Sequence, residues 1–119
     1  MDSYGILHEN IVLEKELIDY LDRITFLKRE WSSSFENVAE HLIRTSVDLL
    51  FINVESASEE KLVLLEQLAC SNNTIIIATD DVLSIFERDF PSLIIAYITR
   101  PPTFDLVVDA VIKYSMKVE

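Results

Sequence analysis

Glycine is nearly absent from this chain, with Gly5 the only one among 119 residues. Dinucleotide loops and P-loops both need glycines so that backbone amides can close on phosphate oxygens, and the sequence excludes both. A flavin-phosphate loop is disfavoured on the same ground. Cysteine is equally scarce: Cys70 stands alone, so no internal disulfide can form, and no basic-apolar-small leader is visible at the N-terminus. Both features predict the reducing cytoplasm. Cys70 falls in or just after the third helical segment, out of register with His8 and His41, and reads as a small buried hydrophobe rather than a nucleophile. Basic residues are few, 10 Lys and Arg against 21 Asp and Glu for a net charge of -11, which argues against a phosphate-backbone binder. An acidic surface keeps a domain dispersed and leaves room for a basic partner. No apolar run approaches the roughly 20 residues of a membrane span. Nor is there a Gly/Ser/Pro linker, a fixed-period repeat or a low-complexity run, so residues 1–119 read as one soluble domain.

What is present is hydrophobic sequence, at half the residues, in short alternating blocks. Five segments rich in β-branched or aromatic residues predict strands: Tyr4 to Leu7, Ile24 to Arg29, Leu49 to Val54, Thr74 to Ala78 and Leu93 to Thr99. Three are apolar almost throughout, as strands are when a parallel sheet is covered on both faces. Between them the spacing turns helical, with Leu13, Leu17 and Leu21, then Val38 and Leu42, then Leu62, Leu65, Leu68 and Ala69. Start signals agree: Ser34, Ser58 with Glu59 and Glu60, Asp80 or Asp81, and Thr103 each precede a helical stretch, and Pro91 ends one. Trp31, just past the second predicted strand, reads as an edge packing anchor. Repeated β-α units with parallel neighbours predict right-handed crossovers and a doubly wound α/β sheet.

In such a sheet, chemistry gathers beyond the carboxyl ends of the strands. That rule selects His8, Glu9 and Asn10, then Asn53 to Glu55, then Thr79 to Asp81, and lastly Thr99 to Pro102. At these positions the sequence resembles the response-regulator receivers of two-component phosphorelay systems, most closely those that precede LytTR-type DNA-binding domains. Asp48-Leu-Leu-Phe-Ile-Asn-Val resembles the strand that ends in the phosphorylated aspartate. Tyr97-Ile-Thr-Arg-Pro resembles the fifth-strand motif, where a lysine precedes proline. Leu7-His-Glu-Asn with Leu13-Glu-Lys-Glu-Leu resembles the acidic turn and first helix. The resemblance covers essentially the whole chain. It implies a flavodoxin-like doubly wound (βα)5 three-layer sandwich with a five-stranded parallel sheet in order 2-1-3-4-5.

The departures from that pattern concern the chemistry. An aspartyl phosphate forms by carboxylate attack, and Asn53 at the phosphoacceptor position lacks the anionic nucleophile. His8, Glu9 and Asn10 stand where receivers carry acids for Mg²⁺, a hard cation that wants oxygen ligands. Of these only Glu9 keeps a carboxylate, and it is the sole weak metal candidate. Ala57, Lys61 and Arg100 replace the family's proline, glycine and lysine, and arginine's planar fork is no neutral substitute. Thr79 and Tyr97 match the hydroxyl and aromatic residues of the receiver switch.

The resulting expectation is a pseudo-receiver, not an enzyme, that signals by protein contact with a sensor kinase, another regulator or a copy of itself. A homodimer would use the face made by the fourth helix, fifth strand and last helix. No cofactor is expected unless the altered pocket still binds magnesium, and neither nucleic acid nor membrane is an expected partner. The alternative is a weak phosphorelay receiver that uses Mg²⁺ with Glu9 or Glu55. A small-molecule sensor is a third reading, less favoured without a convergent polar pocket. The LytTR likeness implies an output module after Glu119, and the sequence leaves open whether one follows. Bland roles compete at each residue: Asn53 as a loop cap, Arg100 as the partner of Glu9 or another acid, Tyr97 as a strand aromatic.

Overall fold

The computed structural model describes residues 2–8, 11–34, 47–55, 58–90 and 92–118. Its elements are β1 (Asp2–His8), α1 (Ile11–Asp22), β2 (Leu27–Ser34), β3 (Leu49–Asn53), α2 (Glu59–Ser71), β4 (Thr74–Ala78), α3 (Asp80–Asp89), β5 (Ala96–Thr99) and α4 (Phe104–Val118). The strands form one parallel sheet in the order β2-β1-β3-β4-β5, the doubly wound α/β arrangement. The helix predicted around Val38 and Leu42, together with His41, lies outside the described residues, and the other helical segments are present as four helices.

Alternation along the central strands builds two apolar layers. Ile6, Leu49, Phe51, Ile75, Ile77 and Ile98 face α1 and α4, meeting Leu17, Leu21, Val107 and Val111. Leu7, Leu50, Ile52, Ile76 and Ala78 face the other way, onto Leu65 and Leu68 of α2 and Val82 and Phe86 of α3. Every residue of β3 and β4 is buried, as continuous apolar runs in a doubly covered sheet require. The predicted helix starts at Ser58, Asp80 and Thr103 also hold, while Ser34 ends β2 and the helix predicted after it lies outside the described residues. Ser58 caps α2, its hydroxyl accepting from the Lys61 amide at 3.3 Å, and the Thr103 hydroxyl accepts from the Leu106 amide at 3.3 Å.

Three expectations need correction. The second strand runs over Leu27–Ser34 rather than Ile24 to Arg29, because residues 23–26 form turns in which the Ile24 amide bonds Leu21 O and the Leu27 amide bonds Ile24 O. Trp31 therefore sits inside β2, buried, with its indole against Gly5; a Cβ on Gly5 would stand 2.7 Å from the indole Cζ2, so the chain's one glycine is where two strands need the room. The fifth strand starts at Ala96, not Leu93, since the Leu93 amide turns back to Phe90 O. Cys70 is exposed rather than buried: Leu65, Leu68 and Ala69 form the inner stripe of α2, and the next residue rotates outward.

Candidate functional site

The parallel register brings the selected residues to one end of the sheet. His8 aligns with Ser34 on one side and Asn53 on the other, Asn53 aligns with Ile77, and Ala78 with Thr99. Thr79 and Arg100 follow the last two strands. Glu9 and Asn10 lie outside the described residues, as does Ala57.

Asn53 ends β3 at 1% exposure, and neither its Nδ2 nor its Oδ1 has a hydrogen-bond partner. It caps nothing, so that reading is set aside. A buried amide left without partners costs about 1–3 kcal/mol for each unmet group, and both polar atoms of this side chain are unmet.

Arg100 lies across the same end. Its amide donates to Ala78 O at 2.9 Å, its Nη1 donates to Val54 O at 3.1 Å, and its Nη2 stands 4.0 Å from Glu55 Oε1. Arg100 thus joins the end of β5 to that of β4 through its backbone amide and to that of β3 through its guanidinium, with the carboxylate of Glu55 as its acidic neighbour. Its side chain is largely shielded while that of Glu55 is open to water, so the ion pair itself adds little beside the bond to the buried strand end. The Arg100–Pro101 peptide bond is cis.

Thr79 occupies the N-cap position of α3, is exposed, and makes no side-chain capping bond. The Asp80 carboxylate beside it instead accepts a hydrogen bond from the Thr99 hydroxyl at 3.0 Å, joining the start of α3 to the end of β5. Tyr97 is half-buried on β5, on the α2 and α3 side of the sheet. Its hydroxyl is buried without a partner, and desolvation first, then the negative charge of Glu87, holds its phenol above the ordinary tyrosine range.

A receiver fold implies magnesium at this end, and the described residues fit it poorly. No group of three or more His, Cys, Asp or Glu side chains among them gathers to hold a metal ion, and Arg100 sets a positive charge beside Glu55. The Thr99–Asp80 bond and the grip of Arg100 on a backbone carbonyl were missed by sequence reasoning. Asp80 carried only a helix-start signal, and a carbonyl acceptor has no residue identity to read.

No family model and no curated protein sequence matches the chain. Solved structures do. RcsB from Salmonella enterica serovar Typhimurium, bound to promoter rprA in the presence of phosphomimetic BeF3-, superposes with a TM-score of 0.81 at 10% identity, covering 98% of this chain and 63% of that one. A signal receiver domain of an HD domain-containing protein from Pseudomonas fluorescens gives 0.74 at 13% identity, over 98% and 95% of the two chains. A DNA-binding response regulator of the LuxR family from Staphylococcus aureus gives 0.73 at 14% identity, over 96% and 98%. This chain spans less than two thirds of the RcsB chain. It has the flavodoxin-like fold of response-regulator receiver domains, with the expected strand order. The narrower likeness to LytTR-type receivers rests on sequence alone.

Proposed function

We propose that this chain is a receiver-like signalling module, one unit over residues 1–119, that works through protein contact and not through an aspartyl phosphate. One observation carries the reading: the position that ends β3, where a receiver's nucleophilic carboxylate belongs, holds the buried, unpartnered carboxamide of Asn53. A carboxamide offers a donor and an acceptor but no anion to attack phosphorus. Around it, Arg100 is already engaged with Val54 O, an internal arrangement that needs no phosphoryl group to hold it. Asn53, His8, Thr79, Tyr97 and Arg100 act as a fixed pole at this end of the sheet.

The contact surface is the face of α3, β5 and α4, where Tyr97 and the Thr99–Asp80 bond couple the pole to the outer helices. A partner there is a sensor kinase, another regulator or a second copy. The RcsB structure is of a promoter complex. In this chain any nucleic-acid contact falls to another module, since a net charge of -11 repels a phosphate backbone. The module works in the cytoplasm; among the described residues, no helix is long and apolar enough to cross a membrane.

NMR of the wild type and Asn53→Asp, each with Mg²⁺ and beryllofluoride, tests the reading. Shifts in the mutant alone indicate a receiver silenced at one group; saturable shifts in the wild type would sink the phosphate-independent reading. The alternative, a weak receiver using Glu55 or Glu9, is favoured by one feature, the exposure of the Glu55 carboxylate at the pole. Saturable magnesium binding at millimolar or tighter affinity would support it.

A further inference from the structure

The end of the sheet away from Asn53 holds a cavity of about 300 Å³. Its wall comes from four places: the closing turn of α2 with Asn72 after it, Asn73 before β4, Ser92 and Leu93 in the turn before β5, and Lys117 in the last turn of α4. Because α2 packs on one face of the sheet and α4 on the other, the cavity lies where the two helical layers meet the strand ends. Ala69 and Leu93 supply its apolar wall; hydroxyls, amides and one ammonium supply most of the rest.

The polar lining is of two complementary kinds. Asn72 Nδ2 donates to Leu68 O at 2.9 Å and Asn73 Nδ2 to Asp48 O at 3.2 Å, so both amides spend a donor within the protein and keep Oδ1 as an acceptor. α2 has no basic residue in its last turn, and of its closing carbonyls only that of Leu68 receives a side-chain donor among the described residues. A helix end of this kind carries about half a negative charge. Lys117 is the one cation of the lining, is exposed, and pairs with no acid among the described residues. A bare anion would meet Lys117 but also the carbonyls, and a bare cation would meet the carbonyls but also Lys117. A small molecule that carries both charges satisfies the two sides together.

We propose that this cavity binds a free α-amino acid as its zwitterion, with the ammonium on the α2 carbonyls and the asparagine oxygens and the carboxylate on Lys117. A small or aliphatic side chain would rest against Leu93 and Ala69. The site is separate from the Asn53 pole and does not depend on the phosphate-independent reading; it gives the module a small-molecule input at the opposite end of the sheet. The volume is at the lower end for small-molecule sites, and Cys70, Ser71 and Ser92 in the wall are exposed, which suits a small ligand held weakly, half-saturating on the order of 1 mM.

Amide NMR of the wild type titrated with L-alanine, L-serine and L-leucine tests it, with N-acetyl-L-alanine and L-alaninamide as probes that each lack one charge. At least one free amino acid should give saturable shifts centred on residues 69–73 and 92–93. Blocking either charge of the ligand, or substituting Lys117→Gln, should weaken binding about tenfold or more. Cys70, the chain's only cysteine and exposed in the same wall, gives an independent reading: a saturating amino acid should slow its reaction with a thiol reagent about twofold or more. Lys117 is exposed, and far-ultraviolet circular dichroism verifies that the variant folds. No saturable shift from any of the three amino acids, equal shifts from the blocked probes, or binding unchanged in Lys117→Gln overturns the proposal. None of these results bears on whether the chain accepts a phosphoryl group, so the two readings fail separately.

Discussion

The two ends of the sheet treat their polar residues differently. At the amino end, Asp2 Oδ2 accepts the Tyr114 hydroxyl at 2.9 Å, Asp48 Oδ2 accepts both the Ser3 amide at 2.8 Å and the Ser3 hydroxyl at 3.2 Å, and Asn73 Nδ2 donates to Asp48 O at 3.2 Å. These groups tie β1, β3, β4 and α4 together, and each has found a partner. At the carboxyl end, Asn53 is more deeply buried than any of them and has none. An asparagine needed only for stability would be expected to look like Asn73. One left unsatisfied in a close-packed strand end is a residue the fold tolerates, as the proposed function requires of it; toward the amino end the Tyr4 hydroxyl is also buried without a partner, but there a single atom is unmet and not a whole carboxamide.

Substitutions at the two ends sharpen the contrast. The largest effect is expected from Asn53→Asp, which places an ionisable carboxyl at 1% exposure with no donor facing it. Chemical denaturation at neutral pH should show a loss of about 2–4 kcal/mol. Tyr114→Phe at the other end removes the bond to Asp2 and should cost about 1 kcal/mol by the same measurement. Asn53→Leu keeps the branched outline in a larger side chain without unmet polar atoms, and should cost clearly less than Asn53→Asp or raise stability, the removed polar groups offsetting the extra bulk. A loss as large as that from Asn53→Asp would show that the carboxamide has partners after all, and the contrast between the ends would fail.

Alkaline titration probes the β1 tyrosine and the amino end together. Burial, then the negative charge of Asp22, pushes the Tyr4 phenol up to about 12, and burial with the Asp2 bond raises Tyr114 as well. Folded values above the unfolded value of about 10 mean that both phenols favour the folded chain while protonated. Their contribution is complete below pH 10 and declines as pH rises from about 10 through 12. Thermal melts should be flat across neutral to mildly alkaline pH in this respect and fall in that window.

Much of the fold was legible because the central strands are apolar on both faces. Thr74–Ala78 begins and ends where its run of hydrophobic residues does, and Leu49–Asn53 stops one residue short of the predicted Val54. The edge strand β2 was misplaced because Lys28, Arg29 and Glu30 are exposed and its inner positions include Ser33, so only pairing with β1 reveals it. Asn53, His8, Thr79 and Arg100 were legible as a group, since parallel strands send all their carboxyl ends to one side. How they touch was not. Arg100 was expected to meet an acid and does approach Glu55, yet its shorter bond is to the Val54 carbonyl, which any residue at that position would supply.

The central claim concerns a covalent bond that this chain should be unable to form. Intact-mass spectrometry of the wild-type protein incubated with Mg²⁺ and a small phosphodonor such as acetyl phosphate tests it most directly. The account predicts an unchanged mass. A shift by one phosphoryl group that maps to any acid at the carboxyl end of the sheet would contradict it.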